Sequence, residues 1–323
     1  MKKIELSSFS EIANDLRKPF HRNYYAMYSS VYDGIVTDPV LMTVPVDDHI
    51  VHRGDGVFET LKCVNGSIYN MAAHLDRLAH GVATLYHKPC FNMSDIPEIT
   101  METVRAGNHR DCLIKIIVSR GSGSMGVSPY DTDGSQLYIV ASKLGVPFME
   151  SHPEGAVVAV SSIMPKESMF ARTKSCNYLP NVLAQKQALD AGAHFAAMFD
   201  EKDHLAEGAT ENMAIITADA ALVFPMRDRI LTGTTMIRVI ELAAELVDSG
   251  DLSDVRQGDI TRGNILAAAE MLIIGTSCDV TAVRAFDGHA IGSICPGPIC
   301  GKLNGLLQRD IRENPAIRTF VFE

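Results

Sequence analysis

Two short stretches of the chain hold residues whose types and spacing could do chemistry together. The first runs Thr173-Lys174-Ser175-Cys176-Asn177-Tyr178-Leu179-Pro180-Asn181. Lys174 leaves a run of strand and loop character and leads into a helix. Pro180 suits a helix start, where its missing N–H would be unpaired anyway, and Gly192 is placed to end that helix. The second stretch, Ala206-Glu207-Gly208-Ala209-Thr210-Glu211-Asn212, brings an acid 33 residues after Lys174, between two strand-like runs at 195–199 and 213–217. A well-placed amine followed by an acid on a glycine-bearing connection suits pyridoxal-phosphate chemistry. That chemistry needs an amine for a Schiff base and a carboxylate that keeps a pyridine nitrogen protonated.

Three further groups could hold an anionic cofactor. Arg77 lies in a segment, 71–85, whose Leu75, Leu78, Val82 and Leu85 recur at helical spacing. It is either a solvated or paired helix arginine or a clamp that matches phosphate bidentately. Gly233-Thr234-Thr235 opens an amphipathic helix expected through Val247. There it offers N–H groups, two hydroxyls and the positive end of the helix dipole, or simply an N-cap through Thr232 or Thr234. Gly275-Thr276-Ser277 follows the strand-like run Glu270-Met271-Leu272-Ile273-Ile274; it reads as a turn or as a place where a ligand nears the backbone.

The residues Lys174-Ser-x-Asn-Tyr-Leu and Glu207-Gly-x-x-x-Asn212, in that order, resemble the fold-type IV, or class IV, pyridoxal-phosphate family. The family includes D-amino-acid transaminases, branched-chain aminotransferases and aminodeoxychorismate lyases. The resemblance extends from about residue 28 to the end. Asp47-Asp48-His49-x-Val51-His52-Arg53-Gly54 and Lys174-Ser-x-Asn-Tyr-Leu-Pro-Asn-Val-Leu bring it nearest to the plant-type D-amino-acid transaminases. It implies a two-domain α/β enzyme of the D-amino-acid aminotransferase-like fold, working as a homodimer with pyridoxal 5'-phosphate. It implies Lys174 as the catalytic lysine, and Arg77, Tyr178, Glu207, Gly233, Thr234, Thr235 and Thr276 as further cofactor ligands. Phe58, Lys115, Gly275, Thr276 and Ser277 are the implied substrate contacts. The reaction implied is a ping-pong, Schiff-base transfer of an amino group between an amino acid and a 2-oxo acid.

The substrate stays open among D-amino acids and branched-chain L-amino acids. Met125-Gly126-Val127-x-Pro129 resembles the branched-chain aminotransferase loop, and Met125 and Val127 stand where the bacterial D-amino-acid enzymes carry an Arg-x-His carboxylate trap. Arg120-Gly121-Ser122-Gly123 also resembles the lyases, which release pyruvate, so that reaction is an alternative. A non-catalytic binding protein on the same fold is a third reading.

The elements that must position these groups fit two domains. Their expected extents are an N-terminal arm at 1–27, a smaller α/β domain at 28–142, a linker at 143–155 and a larger cofactor-binding domain at 156–323. A hairpin is expected around Asn65-Gly66. Gly121-Ser-Gly123-Ser-Met-Gly126 fits GxGxxG, yet Val127-Ser128-Pro129 cannot open the helix a dinucleotide site needs, so a loop is expected. A net charge of −10 argues against nucleic acid or an anionic membrane as partner. Seven cysteines without CxxC spacing suggest a reduced, cytoplasmic protein. No secretory signal or membrane span is read in the sequence. No metal site is expected, since His49 and His52, or His74 and His80, lack partners at ligand spacing.

Overall fold

The computed structural model describes residues 3–322, which divide into two compact units. Both are mixtures of strand and helix, so the expected α/β class is what the chain adopts.

The first unit comprises residues up to Leu144 together with the chain's end from Ile317. Its strands are β1 (Tyr24–Ser29), β2 (Gly34–Val36), β3 (Gly56–Val64), β4 (Ser67–Tyr69), β5 (Cys112–Ser119) and β6 (Leu137–Lys143). The sheet runs β4-β3-β5-β6-β1-β2, and the C-terminal strand Arg318–Phe320 adds antiparallel to β4. Residues from Ile317 therefore group with the first unit and not with 156–316, a return that no local periodicity announces. Likewise β1 begins at Tyr24, within the segment expected as an arm. Alternation builds this sheet: in β5, Ile114, Ile116 and Val118 are fully buried while Lys115 between them is exposed. The buried face packs on the helices Met71–Thr84 and Ile96–Gly107 through Leu78, Val82, Ile96 and Val104. Asn65 and Gly66 turn β3 into β4 with φ of 51° and 77°, as the expected hairpin requires. The segment 121–134 is a loop, not a helix start. A Cβ on Gly121 would lie 1.9 Å from the Gly134 carbonyl oxygen and one on Gly123 2.1 Å from that of Asp131, so tight backbone contact explains these two glycines.

The second unit spans Gly145–Ala316. It contains β7 (Ala156–Val160), β8 (Phe195–Ala197), β9 (Asn212–Ile216), β10 (Ala221–Phe224), β11 (Asp254–Gln257), β12 (Glu270–Gly275), β13 (Asp279–Phe286) and β14 (His289–Ala290). Their order is β11-β10-β9-β12-β13-β7-β8, with β14 paired to β13. The parallel pair β7 and β8 needs a crossover, and the helix Leu179–Asp190 supplies it. That helix buries small residues, Ala184 and Ala188, against Ala196 and Met198, and leaves Leu179, Val182 and Leu189 outward. The helix expected through Val247 is two pieces, Thr234–Leu242 and Ala244–Asp248, hinged at a tightened turn at Ala243 (ψ −16°). The helix Pro298–Glu313 starts on a buried acid: Glu270 accepts from the amides of Ile299 and Cys300, each at 2.8 Å. A carboxylate there satisfies unpaired amides and complements the helix dipole.

Candidate active site

Lys174 lies in the β7–β8 crossover, between a short helix, Ser168–Arg172, and the helix Leu179–Asp190. The short helix has five residues, too few for a helical periodicity to show in the sequence. Its hold on the lysine is local. Thr173 Oγ1 donates to the Met169 carbonyl at 2.8 Å, and Ser175 N donates to the Thr173 carbonyl at 2.8 Å. Thr173 and Ser175, the neighbours on either side, are buried at 2% and 3% exposure. The backbone at Lys174 is thereby fixed while its side chain enters a cleft.

The cleft is lined by Lys174, Tyr178, Asn181, Glu207, Glu211 and Asn212 among others. Lys174 Nζ stands 6.0 Å from the centre of the Tyr178 ring. Asn181 Nδ2 donates to the Ala209 carbonyl at 2.6 Å and ties the crossover helix to the loop that bears Glu207. On the loop's other side, Met198 N donates to the Glu207 carbonyl at 3.0 Å. Two residues 33 apart in sequence thus meet because both flank one parallel strand pair.

Glu207 is deeply buried, and Leu231 N donates to its Oε2 at 3.0 Å. Burial pushes its carboxyl up to about 7, against the pull of the Leu231 amide and of Lys166 and Lys174. Burial likewise raises the carboxyl of Glu211, which accepts from Thr210 N at 3.0 Å and from the Thr210 hydroxyl. Lys166 is the residue that sequence reasoning missed. Its Nζ lies 4.9 Å over the Tyr178 ring in the same cleft, and burial lowers its amine from the ordinary lysine value. Nothing in Met164-Pro165-Lys166 distinguishes it from a loop lysine, so only the fold reveals it.

Two other expected groups come together on the second unit. Gly233 occupies the cap of the helix Thr234–Leu242, so neither Thr232 nor Thr234 is the N-cap residue. Thr235 Oγ1 approaches Thr276 Oγ1 at 3.4 Å, which joins the helix start to the turn after β12. A Cβ on Gly233 would fall 2.0 Å from Asn212 Oδ1. Gly275 closes β12 opposite Asp279, with Thr276 and Ser277 in the turn between β12 and β13.

The remaining expected residues belong to the first unit. Arg77 is on the helix Met71–Thr84, where Glu59 engages its guanidinium. Phe58 and Lys115 share one face of the β3–β5 pair, with Lys115 Nζ 5.1 Å over the Phe58 ring. Arg120 grips Asp55 through Nε at 2.9 Å and Nη2 at 3.0 Å and also donates to the Leu85 and Tyr86 carbonyls.

A lysine and a buried acid thus share one cleft of an α/β unit, and the same unit carries threonine hydroxyls at a helix start. The chain belongs to the amino-transferase class IV family, whose match covers residues 56–286. It is therefore an aminotransferase, and its cofactor is pyridoxal 5'-phosphate. The chain is 37% identical over 302 residues to a D-amino-acid transaminase, chloroplastic, of Arabidopsis thaliana, covering 93% of this chain and 80% of that one. It is 30% identical to a branched-chain-amino-acid aminotransferase of Pseudomonas aeruginosa, covering 84% and 89%. In fold it resembles the branched-chain amino acid aminotransferase of Thermobaculum terrenum in its PLP-form. That likeness has a TM-score of 0.82 at 20% identity, over 93% of this chain and 99% of that one. Among the described residues, no helix is long and apolar enough to cross a membrane.

Proposed function

We propose that the cleft around Lys174 holds pyridoxal 5'-phosphate and transfers an amino group between a D-amino acid or a branched-chain L-amino acid and a 2-oxo acid. The observation that carries this is the burial of Glu207 beside Lys174 in one small cavity. A buried acid whose proton affinity is raised this far is satisfied by a protonated ring nitrogen, which returns the charge partner that burial takes away. When bound, the cofactor supplies an aldehyde that captures amines and a ring that takes up the electron pair released at the substrate Cα.

The chain's own residues do the rest. Lys174 Nζ would hold the cofactor and, displaced by the substrate amine, would move the proton from the substrate Cα to the cofactor's C4′. Glu207 keeps its proton on the ring nitrogen. The Tyr178 hydroxyl would donate to the cofactor's phenolic oxygen; Tyr178 stands at the N-terminal cap of the crossover helix, with Lys174 Nζ 6.0 Å from its ring. Gly233, Thr234, Thr235 and Thr276 hold the phosphate through amides and hydroxyls, and we assign Arg77 to the same anion. Phe58, Lys115, Gly275, Thr276 and Ser277 contact the substrate. The relatives reported above are aminotransferases, and nothing in the cleft favours release of pyruvate.

A homodimer accompanies this reading. The crossover helix exposes Leu179 at 65% and Val182 at 58%, apolar surface beside the active site that a second subunit would cover. Seven unbridged cysteines support a reducing compartment such as the cytoplasm. The function is tested by incubating the purified protein with D- and L-amino acids against 2-oxoglutarate and pyruvate. Transfer from one enantiomer series assigns the substrate class; no transfer from either overturns the proposal.

A further inference from the structure

β3 turns Glu59 to the same face as Val57, Leu61 and Cys63, which lie in the core of the first unit. The Glu59 side chain has 0% exposure, and an ionised group so placed must find charge and hydrogen-bond partners. Two residues one helical turn apart on Met71–Thr84 provide them. Arg77 donates from Nε to Oε1 and from Nη2 to Oε2, both at 2.7 Å. His74 Nδ1 lies 2.7 Å from Oε2 and is 2% exposed. Burial would push the Glu59 carboxyl up; Arg77 and His74 overcome it and hold the group at about 2.

A guanidinium is planar, with its five N–H bonds in a rigid fork. A carboxylate that takes Nε and one Nη fixes the plane and sends the other N–H bonds away from Glu59. Arg77 keeps 13% exposure while the carboxylate is sealed, so Arg77 is the member of the trio an incoming anion can reach. We propose that Glu59, anchored in turn by His74, is a positioning residue that locks the Arg77 guanidinium in the orientation in which it receives the cofactor's phosphate. This rests on the phosphate role given to Arg77 above. A buried pair that merely fastened helix to sheet would, when cut, cost stability and weaken every ligand alike. A positioning carboxylate affects only the ligand with an anionic tail.

The test compares pyridoxal 5'-phosphate with pyridoxal, which lacks the phosphate, in titrations of the full chain stripped of cofactor. Glu59→Gln should weaken the phosphate ester about tenfold and leave pyridoxal unchanged within about twofold. His74→Gln, which leaves the Glu59–Arg77 pair in place, should weaken the ester about threefold with the same selectivity. Equal losses for both ligands, or none for the ester, overturn the proposal. If Glu59→Gln does not fold, His74→Gln decides by the same comparison. Arg77→Lys separates the two levels of inference. Loss of ester affinity there with none in Glu59→Gln refutes the positioning role alone, whereas full affinity in Arg77→Lys refutes the phosphate role of Arg77 itself.

Discussion

The Leu231 amide reaches Oε2 of Glu207 at 3.0 Å, yet burial outweighs this bond and carries the carboxyl from 4.5 up to about 7. A folded-state value above the unfolded one means the native chain keeps a proton that the unfolded chain gives up. The stabilisation from this group is full below about 4.5 and is lost as pH rises through about 7. Across that window it amounts to about 3 kcal/mol. Urea unfolding of the cofactor-free protein should therefore show stability falling between these pH values, and Glu207→Gln should flatten the fall. An unchanged slope in the variant would refute the burial argument.

Gly233 is where backbone and ligand demands coincide. Its absent side chain lets Asn212 pack against the helix start, with Asn212 Nδ2 donating to the Leu231 carbonyl at 2.8 Å. Gly233→Ala must displace Asn212 or the helix. Since Leu231 also holds Glu207, the shift reaches the acid. Cofactor affinity should fall about tenfold or more, measured by equilibrium dialysis. Wild-type affinity would show that the helix start is not a cofactor contact.

The buried Glu270 carboxylate is a matter of stability rather than chemistry. Glu270→Ala strips the acceptor from two helix amides in a closed site and should cost about 3 kcal/mol in denaturant unfolding. Glu270→Gln, which keeps one acceptor oxygen, should cost less. Gly297→Ala should be comparably severe, because its Cβ would meet Glu270 Cδ at 2.2 Å. Tolerance of all three changes would remove Glu270 as the anchor of that helix.

What the sequence disclosed follows the range of the signals. Helical spacing through Leu78 and Val82 and the Asn65-Gly66 turn are local, and each element formed where it was read. Lys174 and Glu207 were legible through their motif context, and the fold adds that they share a cleft. Lys166 was not legible, because its importance comes from a chain path that lays it over Tyr178. The C-terminal strand on β4 was hidden for the same reason: a partner about 250 residues away leaves no local trace. In the sequence Glu59 is one polar residue among strand-forming neighbours, and its burial follows from the face it shares with Leu61.

The cleft holds two amines, Lys166 and Lys174, and the proposed chemistry assigns the covalent role to one. Borohydride reduction of the cofactor-loaded protein, followed by peptide mass spectrometry, locates the phosphopyridoxyl group directly. It should lie on Lys174, with Lys166 unmodified. A label on Lys166, or on neither, would contradict the assignment from which the rest of the site is built.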